Sequence, residues 1–531
     1  MDEELTDLLL LGQLSQNGGS DVCILHGDQP SDRIHQLSAW LRGLDPDARV
    51  VTSRVDAEGQ PPVVKLAASA RFDLVLDISV APGWRRRIKT LVPLVRARGC
   101  VVSERAEPGD GARSFLQRLS TNDPGRPRLA DVIGSTSLGA NWLRVDVAHN
   151  SLIKVFEHEV DSLRGHSKVN DAAVVVPAEP WVSRGVTRGN DEVRAASLPT
   201  TFAGFDLRLH TYNEVWCLLQ SAVVADGIAL PESFRRSYAG IYSNAQLESL
   251  TQRAALPPPR PERRLAGTYL HLDNEWRGQF GHNLLEQVSK TWAWSEAVAR
   301  HPDVLALVTA RRHVPVAEWE LQLLHAAGIP RSRITVAREP VVVERLLTAT
   351  GGYYLPDRAH PALVDLYGRM AQRLSTSPDP GRSYPGRLFF SRKPGRRRGC
   401  MNGERVEAVF SDHGFEVVYP EDHSLATQMS MVRACTTFAG FAGSGMYHLA
   451  LTAGGPPKQV IAITARTYVE YVESVFSALY GHELWMVWCD DVIINDRSVV
   501  QSDYRFGPDD EIYLREVLNG LYGNSAHPSA E

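Results

Sequence analysis

At 531 residues the chain is longer than one hydrophobic core organises, so roughly two to four domains are expected. Hydrophobic residues make up 43% and charged residues 22%, the balance of an ordinary soluble globular protein. A net charge of -5 supplies no field drawing the chain to nucleic acid or to an anionic membrane, so neither is expected as a direct partner.

The six cysteines, Cys23, Cys100, Cys217, Cys400, Cys435 and Cys489, are scattered, with no CxxC pair and no Cys/His cluster at metal-ligand spacing. They read as free thiols of a reducing compartment. From Met1 to Gln16 the chain is acidic and then leucine-rich, without a basic leader region, and Leu8 to Leu11 is far short of the ~20 residues a bilayer span needs. The expectation is a cytoplasmic protein without a transmembrane segment, open to peripheral membrane association through a partner. The sequence does not set an oligomeric state.

Three punctuated stretches, NDPGRPR (Asn122 to Arg128), PPPRPERR (Pro257 to Arg264) and STSPDPGRSYPGR (Ser375 to Arg387), divide the chain. They give a Rossmann-like domain over 1–125, a β-rich connector over 126–260, a lobe over 261–380 and a second lobe over 381–522. A small, polar tail follows at 523–531.

In the first block, strands are expected at Val22 to Leu25, Val50 to Thr52, Arg71 to Asp77 and Cys100 to Ser103. Helices fall at Asp32 to Leu44 and Trp84 to Arg98, with Pro93 as a kink or break. Strand, helix, strand at this rhythm means a parallel sheet with right-handed crossovers. FDLVLD before a long basic helix and then GCVV resembles the later half of a class I S-adenosylmethionine-dependent methyltransferase, over about a hundred residues. After the first strand, where such an enzyme has a glycine-rich turn, this chain reads Leu25-His26-Gly27-Asp28-Gln29-Pro30, a single glycine closely followed by proline. The block therefore reads as a degenerate methyltransferase-like domain, with a working cofactor site as the alternative.

The connector carries β-rich runs at Ala172 to Pro177 and Leu207 to Leu230, where hairpins are expected. The α/β rhythm then returns. Tyr269 to Leu272, Val304 to Val308 and Ile334 to Ala337 read as strands, and Gly281 to His301 and Val316 to Ala327 as helices. After the third spacer, strands fall at Leu388 to Ser391, Phe415 to Val418, Thr436 to Ala439 and Val460 to Thr464. Helices fall at Gly403 to His413, Ser424 to Ala434 and Met446 to Thr452. Two such blocks in tandem read as a pair of Rossmann-type lobes with a ligand cleft at the strand carboxyl ends.

Three constellations bear on chemistry. In CTTFAGFAGSGMYHLAL, Gly440, Gly443, Ser444 and Gly445 form a turn between a strand and a helix start. Backbone N–H groups, the Ser444 hydroxyl and a helix N-terminus there suit a phosphate, although a tight packing turn has the same pattern. In FFSRKPGRRRG, Arg392 and Lys393 follow a strand end, where a guanidinium fork can meet a diphosphate; Arg396 to Arg398 read as a solvated basic loop. In FGHNLLEQVSK, His282 and Glu286 lie four apart on one helical face, the usual build of a general base for a hydroxyl nucleophile. A capping or packing histidine is the plainer alternative.

GHNLLEQVSKTWAW, SRK with NGE after it, GFEVVYPEDHSLATQ and AGFAGSGMYH, in this order, resemble glycosyltransferase family 61, from about Thr268 to Trp485. Within that family the chain resembles bacterial members with capsule or surface-polysaccharide roles. The resemblance implies a GT-B fold and inverting transfer from a nucleotide sugar to a glycan or small-molecule acceptor, with no obligatory metal. It places Arg392, Lys393, Asn402, Glu404, Gln428, Gly443, Ser444 and Gly445 on the donor side and His282 and Glu286 on the acceptor side. Asn283 stands where the family usually has an aromatic residue, and Tyr447-His448 replaces a more common H-N.

The nearest acidic matches to a metal-binding D-x-D are Asp45-Pro46-Asp47, in the first block, and Asp273-Asn274-Glu275, read as cleft wall or helix cap. The expected mechanism is a single in-line displacement. An acceptor hydroxyl is deprotonated by His282 or Glu286 while the nucleoside diphosphate leaves into the glycine turn. The alternatives are methyl transfer by the first block, and a non-catalytic glycan-binding scaffold.

Overall fold

The computed structural model describes residues 5, 19–28, 31–69, 71–104, 111–121, 128–235, 241–310, 314–375, 383–393, 399–493 and 502–523. The Leu8 to Leu11 run, most of the first and third spacers, Arg396 to Arg398 and the tail from Asn524 lie outside them. The protein is a mixed α/β chain with several sheets, and it divides into two compact units. The first comprises Met1–Ala172, His210–Thr268 and Ala337–Leu347; the second comprises Ala173–Leu209, Tyr269–Val336 and Thr348–Glu531. The expected first block and most of the connector thus fall together, as do most of the two expected lobes.

In the first unit, strands Arg49–Arg54, Asp21–His26, Phe72–Asp77 and Val95–Glu104 lie side by side in that order, all parallel. Trp142–Val147 and Ile133–Leu138 continue the sheet antiparallel. The expected helix to Arg98 ends early. Trp84–Leu91 is helical, Pro93 sits in a single 3-10 turn (Val92–Leu94), and the next strand begins at Val95. The reason is the missing proline N–H, which cannot continue the helical ladder. The connector strands Leu207–Cys217, Val223–Ala225 and Ile228–Ala229 pair antiparallel as hairpins.

The second unit is built on a parallel sheet ordered Val186–Gly189, Glu483–Ile493, Gln459–Ala465, Thr437–Phe441, Arg387–Phe390, Glu416–Val418. Alternation along its strands buries both faces. Leu388, Phe390, Phe438, Val460 and Ala462 belong to one core, while Phe389, Ala439, Phe441, Ile461 and Ile463 belong to the other. Two strands of this order were missed from sequence: Val186–Gly189, read as connector, and Glu483–Ile493, in the expected second lobe; they pair parallel with each other, with Val186↔Glu483 as the first step.

The expected helix Gly281 to His301 is broken into four pieces. Phe280–His282 is α-helical, Asn283–Gln287 is a π-helix, Val288–Ala293 is 3-10 and Trp294–Arg300 is α-helical again. Polar anchoring accounts for the widened turn. The Asn283 amide, fully buried, donates to Gln287 at 3.0 Å and to Glu320, and Gln287 donates to the Leu272 carbonyl at 2.8 Å. No helix among the described residues is long and apolar enough to cross a membrane.

Candidate active site

The strand Thr437–Phe441 runs straight into the glycine turn at residues 442–445; Gly440, expected in the turn, lies within the strand itself. Gly440 lies against the neighbouring strand so closely that a β-carbon would come 2.7 Å from the Phe390 carbonyl, so it serves packing. Gly443 has φ 115, a conformation that side chains resist, and its N–H donates to Glu473 Oε1 at 2.8 Å. Ser444 and Gly445 are half-buried, and a β-carbon on Gly445 would meet open space. The following helix, Met446–Thr452, is a seven-residue 3-10 helix, so its dipole is smaller than that of the expected α-helix.

Glu473 holds the turn from beneath. Its side chain is fully buried on the helix Val472–Tyr480, and the Tyr468 hydroxyl donates to it at 3.0 Å. Burial raises its pKa, against the lowering effect of the Gly443 N–H. Sequence reading missed this residue, though a lone carboxylate in the apolar run VESVFSAL was a signal of a buried partner.

The histidine helix meets this turn directly. A β-carbon on Gly281 would lie 2.6 Å from Tyr447 Cδ2 and 3.0 Å from Ser444 Oγ. Leu284, Leu285 and Val288 share one hydrophobic core with Met446, Tyr447 and Leu449. On the residue after Gly281, His282 Nδ1 stands 3.1 Å from Glu286 Oε1, with side chains 19% and 11% exposed. An ionised Glu286 there selects the Nδ1–H tautomer and leaves Nε2 with its lone pair. The Trp276 ring lies 6.1 Å from the His282 ring, tilted by 31°.

Arg392 also reaches the turn: its Nη2 donates to the Ala442 carbonyl at 2.7 Å, one residue before Gly443. Ser391, just before it, is fixed through Glu407, which also accepts from the Tyr419 hydroxyl at 3.0 Å. Tyr447 donates to Glu470 at 2.7 Å. His448, buried, stacks on Phe280 at 4.6 Å and contacts the Gly445 carbonyl through Nδ1 at 2.8 Å; burial pushes its pKa down to about 4.

Four further sequence-derived donor residues, Lys393, Asn402, Glu404 and Gln428, have no bond to the turn among those described. Lys393 is exposed and paired with Asp422. The Asn402 amide clamps the backbone of Phe506, donating to its carbonyl at 2.9 Å and accepting from its N–H at 3.0 Å. Glu404 is exposed in the first turn of the helix Gly403–Asp412. Gln428 donates to the carbonyls of Pro420 at 2.7 Å and His423 at 2.9 Å, pinning the turn that bears Asp422.

Asp273 is buried in an ion pair with Arg277 at 3.3 Å and also bonds Thr309, so its carboxylate is committed to the fold. Among the described residues no group of three or more His, Cys, Asp or Glu side chains is arranged to hold a metal ion.

Residues 280–461 match the glycosyltransferase 61 family model. The matched segment contains every sequence-derived site residue, from His282 to Gly445, and indicates a glycosyltransferase. No curated protein matches the chain. Among solved structures, it is similar to the MycE methyltransferase from the mycinamycin biosynthetic pathway, in complex with Mg, SAH and mycinamycin VI. There the identity is 16% and the TM-score 0.21, over 25% of this chain and 46% of that one. It is also similar to a mutant of MtNAS, at 14% identity and a TM-score of 0.17, over 28% of this chain and 59% of that one. Both likenesses are too slight to support a statement about fold or function, and this chain spans about half the length of each.

Proposed function

We propose that the protein is an inverting glycosyltransferase that moves a sugar from a nucleotide-sugar donor to a hydroxyl of a glycan or small-molecule acceptor. Polysaccharide or glycoconjugate assembly in the cytoplasm, of the bacterial surface-polysaccharide kind, is the role this reading favours. The observation that carries it is the packing of Gly281 on Ser444 and Tyr447, which puts the His282–Glu286 pair beside the glycine turn.

In this reading His282 Nε2 takes the acceptor hydroxyl proton, and Glu286 holds the imidazole in the required tautomer and offsets its developing charge. The acceptor oxygen forms its bond to the anomeric carbon as the bond from that carbon to the diphosphate oxygen breaks, inverting the centre. The electron pair leaves on the diphosphate, toward Arg392, the Ser444 hydroxyl and the exposed side of the turn. Gly443 N–H contributes by shaping the turn, since it already serves Glu473. The His282 side then serves the acceptor and the Arg392 and Ser444 side the donor, in the manner of the two lobes of a GT-B pair. A thermal-shift panel of nucleoside diphosphates and nucleotide sugars tests it. A ligand at a hundred times its dissociation constant stabilises by about 2.7 kcal/mol, and silence across the panel would remove the donor site.

A cavity of about 850 Å³ supports a second activity. It is lined by Gly27, Asp28, Arg54, Asp56 and Ser79 among others, at the carboxyl ends of the first unit's parallel strands. At one of those ends Asp77 is committed to Arg87 in a fully buried pair at 2.7 Å. Methyl transfer from S-adenosylmethionine by this unit is the reading, and micromolar binding in isothermal titration of the full chain is its test.

A further inference from the structure

The loop joining the strand Arg263–His271 to the histidine helix is unusually well tied down for a segment that presents a large aromatic side chain to solvent. Asn274 is 3% exposed and donates to Asn283 at 3.3 Å. Arg277 is 2% exposed, donating twice to Glu320, at 2.7 and 2.9 Å, and to the Thr309 carbonyl at 3.1 Å. Lys290 fixes the Asp273 carbonyl at 2.7 Å. Between these anchors Trp276 is 42% exposed, with its ring centre 6.1 Å from that of His282 and the two planes inclined by 31°.

Single exposed apolar residues are ordinary. This one differs in its backbone, which is fixed on both sides by buried charges, and in its neighbour, which is the proposed general base. Tryptophan offers a large, flat, rigid contact at low entropy cost, and its ring face carries the negative end of a quadrupole. The ligand that matches is amphipathic: one face of polarised C–H groups to lie on the indole, and an edge of hydroxyls to meet His282 and the polar residues Glu275 and Gln279. A lipid chain would need a contiguous apolar patch, whereas Gly278 and Gln279 beside Trp276 are exposed and not apolar.

We infer that Trp276 is the stacking platform for the acceptor, and that the acceptor is a pyranose ring whose hydroxyl is thereby presented to His282. This rests on the glycosyltransferase reading above and specifies its acceptor class.

The test uses the full-length protein and two probes with flat C–H faces, methyl β-xylopyranoside and methyl β-galactopyranoside. Binding is followed by saturation-transfer NMR, with UDP and GDP binding measured by calorimetry in the same samples. The wild type should bind at least one glycoside, with Trp276→Ala weakening it about tenfold or more and Trp276→Phe retaining most of it, while nucleoside diphosphate affinity is unchanged. Glycoside binding that is absent in the wild type, or unaltered in Trp276→Ala, overturns the platform. If neither nucleoside diphosphate binds, the donor reading fails instead, whatever the glycosides do.

Discussion

Gly281 and Tyr447 are in contact without room for a methyl group between them: a β-carbon on Gly281 would stand 2.6 Å from the tyrosine ring. Any side chain at 281 therefore displaces either the histidine helix or the turn. Gly281→Ala is expected to cost ~1–3 kcal/mol of stability by overpacking and to depress turnover more than donor affinity. Denaturant unfolding of Gly281→Ala, Tyr447→Ala and the double variant checks this. In the double variant the glycine substitution should cost much less, because the ring it strikes is gone and only the Ser444 hydroxyl, at 3.0 Å, remains close.

Glu473 shapes the turn through Gly443, and two substitutions separate shape from charge. Glu473→Ala leaves the buried Gly443 N–H unsatisfied, at a cost of about 1–3 kcal/mol. Glu473→Gln keeps an acceptor oxygen and removes the ionisation. Burial raises the folded pKa above the ordinary 4.5, so the folded state holds its proton to higher pH than the unfolded one. This contribution is present below 4.5 and is lost as pH rises through the raised value. Unfolding measured across pH should show Glu473→Gln gaining on the wild type in that direction.

His448 has the opposite sign. Its folded pKa, about 4, is below the ordinary 6.5, so the unfolded chain binds the extra proton first. Stability from the neutral ring is full above 6.5 and falls by about 3 kcal/mol as pH drops to 4. His448→Asn keeps a donor for the Gly445 carbonyl and should remove that part of the acid limb. His482, also lowered to about 4, continues to titrate in the same window, so the limb should be reduced and not abolished.

How far the sequence carried these conclusions differs by element. Short apolar runs placed most strands of the second unit's sheet, because both faces are buried and both sides of each strand must be apolar. The same signal did not reveal the edge strand Val186–Gly189, four residues with an exposed Val186 and no apolar run to read. The histidine helix was legible as an element, yet its π-turn depends on Asn283 finding Glu320, from a helix farther along the chain, and on Gln287 finding the Leu272 carbonyl. A side-chain pairing was legible where spacing is local, as with His282 and Glu286. It was less so where a polar side chain's partner is distant, as with Asn402 on Phe506 or Glu473 beneath Gly443.

Arg392 sits at the turn with its guanidinium on the Ala442 carbonyl. Arg392→Ala should weaken nucleoside diphosphate binding by about tenfold to a hundredfold, since a charge-assisted contact to a phosphate is lost. Arg392→Lys should recover part of it, because the charge remains and the planar fork does not. Calorimetry with UDP and GDP reads both, and unfolding midpoints should stay near the wild type's.

The account depends most on the claim that His282 acts on an acceptor beside the donor turn. The direct measurement is the rate of sugar transfer from a nucleotide sugar by His282→Ala and the wild type, with donor affinity determined on the same preparations. Transfer should fall by about a hundredfold or more while donor affinity stays within about twofold. An unchanged transfer rate in His282→Ala, or a wild type that transfers no sugar from any nucleotide sugar, would contradict it.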